Sequence, residues 1–169
     1  IAILAPTGVL DSGTVVVPRV VVHNFGNQPA GFPVQLRIGA AYADSAAVNL
    51  APGADDTVTF TAWTASPLGN HAVVCYTELS GDQNPANDTI RDSVLVIPQP
   101  EYDVGPVAIL APAGTLDSGT ALTPRVVVRN FGNQNAAFPV YISIGGQYQD
   151  SAQVNLVSGA DDTMSFKLW

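Results

Sequence analysis

Apolar residues recur at every second position along this chain, in short runs broken by glycine, proline and asparagine. A period of two puts successive side chains on opposite faces of a β-strand. Six segments of the first part of the chain read as strands on this basis: residues 1–5, 14–24, 32–38, 48–50 together with 56–63, 71–77 and 89–97. The stretches PTGVLDSG, FGNQPAG, APGADD, SPLGN and SGDQNPAND carry the turn chemistry between them. No long segment has the 3.6-residue period of a helix. Short strands at this spacing predict an all-β sandwich.

The chain also repeats itself. Shifted by 106 residues, AILAP falls on AILAP, LDSGT on LDSGT, PRVVV on PRVVV, NFGNQ on NFGNQ and GADDT on GADDT. Of the 63 overlapping positions, 41 are identical, and Trp63 falls on Trp169. A unit of about a hundred residues is the size of one sandwich. The expected layout is a first unit over 1–98, a proline-rich linker over 99–106 and a partial second unit over 107–169. The linker prolines favour an extended, stiff joint.

The two copies also report which strand face is inward. Val15, Val17 and His23 become Ala121, Thr123 and Arg129, so the odd positions tolerate polarity. Val16, Pro18, Val20 and Val22 remain apolar or proline as Leu122, Pro124, Val126 and Val128. Phe32, Val34, Leu36 and Ile38 match Phe138, Val140, Ile142 and Ile144, while Gln35 and Arg37 become Tyr141 and Ser143. Each strand therefore predicts one core face and one wet face.

The repeated NFGNQ closes a strand of β-branched residues. Asparagine and glycine accept positive φ, and asparagine side chains bond local backbone, so a structural turn is the expected role. Phe25 is expected to plug the end of the sandwich. DSGT, at Asp11 and again at Asp117, has the form of the aspartic-protease signature. Such an enzyme needs two carboxylates sharing a proton in a deep cleft. A short turn with Gly13 and Gly119 at positive φ is the simpler expectation.

NFGNQ, followed by LAPGADDTVTFTAW, GNHAVVCYTEL and GDQNPANDT, resembles the bacterial CARDB family. The resemblance spans Ile1 to Ile97 and most of Val107 to Trp169. It implies tandem immunoglobulin-like antiparallel β-sandwiches, secreted or on the cell surface, with a cell-adhesion-related role and no enzyme activity. The acidic run that precedes the double asparagine in the family is reduced here to Asp82 and the stretch Asn84 to Asp88.

Composition narrows the function classes. Hydrophobic residues make up 47% and charged residues 12%, so the chain can bury a core. A net charge of −8 disfavours nucleic acid and anionic membrane surfaces. The apolar runs are too short to insert in a membrane. The single cysteine, Cys75, sits in an alternating strand and reads as a small buried hydrophobe. With two histidines, and neither H-E-x-x-H, G-x-S-x-G nor a phosphate loop, no catalytic constellation emerges.

Four features remain as candidate sites. Asp82, Asn84, Asn87 and Asp88 gather hard oxygens in one loop, a candidate calcium site without diagnostic spacing. Asp55-Asp56 and Asp161-Asp162 sit in turns that offer a second, weaker cation site. Asn87-Asp88-Thr89 fits the N-glycosylation acceptor pattern. Trp63 and Trp169 fall out of phase with the inward Val58, Phe60, Met164 and Phe166. Either they form a surface aromatic platform or a bulge turns them inward.

The second unit has no counterpart of residues 71–77 and 89–97, and Ile1 falls inside a repeat. Two expectations follow: the sequence is a window on a longer array, or another subunit supplies the missing strands by donor-strand completion. Both point to copies of the chain, or further repeats of it, as partners. The expected role is a component of an extracellular fibre, filament or stalk. The alternative is a carbohydrate-binding or spacer module of a larger secreted enzyme.

Overall fold

The structure, a computed structural model, describes residues 2–169. Fifteen strands and one short 3-10 turn at Pro85–Asn87 make up its regular structure. The chain divides into two compact units, Ile1–Gln99 and Pro100–Trp169.

In the first unit, β1 (Ala2–Ala5), β4 (Arg19–His23) and β7 (Asp55–Thr59) form a three-stranded antiparallel sheet. Facing it is a five-stranded sheet in the order β2 (Gly8–Asp11), β10 (Thr89–Ile97), β9 (Gly69–Thr77), β5 (Ala30–Ile38) and β6 (Tyr42–Leu50). β3 (Val15–Val16) and β8 (Trp63–Thr64) pair as a small ribbon. The core between the sheets is the inward face read from the copies: Val20, Val22, Phe32, Val34, Leu36 and Ile38, with Val58, Phe60, Val73, Cys75, Val94 and Val96. Alternation along β4 and β5 produces it, because each valine or leucine two residues on points the same way.

The second unit repeats part of this plan. β11 (Val104–Ala111), β12 (Arg125–Asn130) and β15 (Asp161–Ser165) form one antiparallel sheet, and β13 (Ala136–Ile144) pairs with β14 (Tyr148–Leu156). Their core is Val126, Val128, Val140, Ile142, Val154, Leu156, Met164 and Phe166. Registers are conserved across the 106-residue shift: Ala2 faces Val21, and Ala108 faces Val127.

The strand boundaries differ from the expectation in five places, each for a physical reason. The segment 8–11, read as a turn, is β2 and runs parallel to β10, so the sandwich is not wholly antiparallel. The predicted strand 14–24 is two strands, because Pro18 cannot donate to a ladder. The predicted strand 56–63 is likewise split into β7 and β8. β6 begins at Tyr42 rather than Val48, its inward positions being filled by Tyr42, Asp44 and Ala46, which carry little hydrophobic signal. Residues 104–106 of the expected linker already belong to β11. Ile1 lies outside the described residues.

Candidate functional site

NFGNQ is held by its asparagine. Asn24 is 6% exposed, and its Nδ2 donates to the carbonyls of Gln28, at 2.9 Å, and Leu50, at 3.1 Å. Its Oδ1 accepts from the Gly26 N–H at 2.9 Å. Asn130 repeats all three bonds, to Gln134, Leu156 and Gly132, and is fully buried. One amide thus satisfies three backbone groups at a sandwich end, the local bonding that asparagine supplies in turns. Neither Gly26 nor Gly132 has positive φ, contrary to the turn expectation. The DSGT turns do: φ is 83° at Gly13 and 84° at Gly119.

Phe25 is not the expected plug. It is 65% exposed and stacks on the His23 ring, with centroids 4.3 Å apart. Its sequence position one past the buried Asn24 sends it outward, and Asn24 does the sealing. His23 Nδ1 lies 2.6 Å from Asp55 Oδ1, and Arg129 faces Asp161 at 3.6 Å, so a basic residue type and its carboxylate partner recur at the shifted positions. Asp55 and Asp161 are therefore each paired with a side chain of the neighbouring strand.

The 78–88 loop meets NFGNQ at the same end. Together they line a concavity of about 630 Å³ that includes Asp82, Asn84, Asn87 and Asp88. Asp82 Oδ1 accepts from the Asn84 N–H at 2.6 Å, and Asp88 Oδ1 accepts from Thr77 Oγ1 at 3.3 Å. Calcium takes six to eight oxygens, usually several of them carboxylate. Asp82 has an oxygen in a turn bond and Asp88 one bonded to the Thr77 hydroxyl of β9, and no three acidic, histidine or cysteine side chains converge among the described residues.

Trp63 is buried, 5% exposed, which corrects its reading as a surface aromatic. The inward Phe60, Trp63 and Ala65 require one irregular step, and it falls at Thr61-Ala62. That step is pinned from β6. Asp44 Oδ2 accepts from Thr61 N at 2.7 Å and from Thr61 Oγ1 at 2.9 Å, and Tyr42 donates its hydroxyl to the Thr61 carbonyl at 2.7 Å. The His71 ring meets Trp63 edge-on, 5.9 Å between centroids. Trp169 is 41% exposed, although Leu122 and Trp169 exchange both backbone bonds as Val16 and Trp63 do.

The pin recurs in the second unit: Asp150 accepts from the Lys167 N–H at 2.8 Å, and Tyr148 donates to the Lys167 carbonyl at 2.7 Å. The backbone bonds from Thr61 and Ser45 hold the Asp44 carboxyl below the usual range, and those from Lys167 and Ser151 do the same for Asp150. Burial pushes the Tyr42 hydroxyl up. Sequence reasoning missed this pin, although Tyr42/Tyr148 and Asp44/Asp150 are identical pairs. Thr61 is free to become Lys167 because the shared contacts use its backbone.

Cys75 is buried, 1% exposed, and burial pushes its thiol up to about 11. Asp11 and Asp117 each accept, through the backbone carbonyl, a turn bond from the threonine three residues on, at 3.1 Å.

The second unit presents an accessible strand edge. In the first unit β5 has β6 on one side and β9 on the other. In the second, β13 is bonded only to β14 among the described residues. The Gly39 N–H reaches the Ala72 carbonyl and the Glu78 N–H reaches the Pro33 carbonyl, so odd positions of β5 point their backbone groups towards β9. The corresponding positions on β13 are Pro139, Tyr141 and Ser143.

These features define a class: an all-β sandwich with an asparagine-anchored end loop. No family model matches the chain, and none of the curated proteins compared with it does. Among solved structures it is similar to the CARDB domain of a Pyrococcus furiosus protein in complex with di-metal ions, at 19% identity over 54% of this chain and 81% of that one, TM-score 0.48. It is also similar to the CupB2 chaperone of Pseudomonas aeruginosa, at 12% identity over 98% of this chain and 87% of that one, TM-score 0.31. A chaperone–tip adhesin complex of CFA/I fimbriae biogenesis matches at 14% identity over 99% and 90%, TM-score 0.31. At these identities and TM-scores the likenesses carry no argument about function.

Proposed function

We propose that this chain is a structural part of an extracellular fibre, filament or surface stalk built from tandem immunoglobulin-like modules, with no catalysis of its own. The observation that carries the reading is the β13 edge. Val140 and Ile142 are buried on one face of that strand, while Tyr141 and Ser143 direct unshared backbone groups sideways. An edge of this kind accepts a further strand by β-augmentation. In the first unit the sequence that fills the same place is GNHAVVCYT. The partner is a strand of that type from a further repeat or from another copy. Head-to-tail addition of this sort does not close and so propagates. Acidity, with a pI near 4.2, suits an extracellular surface that avoids nucleic acid. Among the described residues no helix is long and apolar enough to cross a membrane.

The test is association. A peptide GNHAVVCYT added to the chain is expected to protect the backbone amides of Tyr141 and Ser143 from exchange. Ser143→Pro removes a donor from the open edge and leaves the β14 ladder intact, so it is expected to abolish that protection. Electron microscopy of native material is expected to show uniform filaments or stalks with a regular axial repeat. Unchanged exchange at β13, together with isolated globular particles, would sink the reading.

A further inference from the structure

The two NFGNQ loops have the same sequence but different surroundings. In the second unit the segment Glu101–Asp103 lies across the loop. The Phe131 and Gly132 N–H groups donate to the Asp103 carbonyl at 2.8 and 3.0 Å. The Asn133 and Gln134 N–H groups donate to the Glu101 carbonyl at 3.1 and 3.3 Å. In return the Glu101 N–H donates to Asn133 Oδ1 at 2.9 Å. Gly132 is buried beneath this clasp. A Cβ there would collide with the Glu101 carbonyl oxygen and would lie 2.7 Å from the Asp103 nitrogen, so only glycine fits.

In the first unit no described segment crosses the loop. The N–H groups of Phe25, Asn27 and Gln28 have no acceptor among the described residues. Gly26 is exposed and has no positive φ. A Cβ on it would meet only Asn24 Oδ1, at 3.1 Å. Nothing in the first unit as it stands demands glycine with the force seen at Gly132. The requirement at Gly132 comes from its occupant.

We infer that the NFGNQ loop of the first unit is a docking site for an extended segment of the same chemistry as Pro100–Val104, delivered from immediately upstream of β1. The occupant presents two carbonyls, two residues apart, to the amides of Phe25 to Gln28, and its backbone passes over Gly26. The upstream source follows from strand continuity: the clasp runs directly into β11, whose Val104 already faces Asn130. The site uses residues and bonds separate from the β13 edge, so neither proposal depends on the other.

Grafting residues 100–106, PEYDVGP, ahead of Ile1 tests this on the whole chain. The amides of Phe25, Asn27 and Gln28 are expected to slow in hydrogen exchange by at least about tenfold, towards the rates of Phe131, Asn133 and Gln134. Gly26→Ala in the grafted chain is expected to remove that protection. In the ungrafted chain the same substitution leaves the β4 and β5 amides protected, which separates loss of docking from loss of fold. Unchanged exchange at the three amides in a folded, grafted chain overturns the proposal. Equal protection by the free PEYDVGP peptide overturns the upstream source.

Discussion

At the scale of single residues, Asn24 and Asp44 do the most. Asn24→Ala leaves the carbonyls of Gln28 and Leu50 and the Gly26 amide without their partner at a buried site. The expected loss is about 1–3 kcal/mol, read as a lower denaturant midpoint with unchanged slope. Asp44 and Asp150 have carboxyls lowered in the folded state. Their contribution is present above the unfolded aspartate pKa of about 3.9 and is lost as pH falls through the lower folded value. Thermal stability is therefore expected to drop on acidification below about pH 4, and Asp44→Asn is expected to flatten part of that limb. The Cys75 thiol, buried and pushed up to about 11, is expected to resist labelling at pH 8 until the chain unfolds. A native thiol that reacts at the rate of a free one would contradict the core seen here.

At the scale of elements, the sequence was legible where hydrophobicity alternates and silent where backbone bonding decides. The inward faces of β4 and β5 follow from comparing the two copies, and the structure buries those same residues. β2 escaped because its turn-rich sequence is recruited by pairing with β10. Trp63 could not be assigned a face because one irregular step at Thr61-Ala62 reverses the phase, and a half-buried carboxylate and tyrosine on β6 hold that step. The end loop was read as a turn but not as a hydrogen-bond donor: its donors belong to the main chain, and sequence does not display them. The four-residue oxygen cluster was visible as composition, and its bonds, Asp82 to the Asn84 amide and Asp88 to the Thr77 hydroxyl, appear only in three dimensions. Leu36→Ala, a fully buried position on β5, is expected to cost about 2–5 kcal/mol by equilibrium unfolding.

For the whole molecule, two separate cores imply separable stabilities. The first unit buries sixteen hydrophobic residues in its core cluster and the second buries eight. Since buried apolar area is the main stabilising term, the second unit is expected to melt first. Calorimetry should resolve two transitions, with Leu36→Ala lowering only the upper one. A single transition shifted as a whole by that substitution would mean that the units unfold together.

The clasp over the second loop also has a mechanical meaning. The clasp's first bond, from the Glu101 N–H to Asn133 Oδ1, lies two residues past Gln99, where the first unit ends. A pull along the chain at that point loads the short bonds of Glu101–Asp103 before it reaches the ladder of β11. Those bonds precede the β11 ladder along the chain. Their rupture would release three residues, about 10 Å of length, while the core of the unit stays shut. Under load the chain is expected to give up that short length before the module opens.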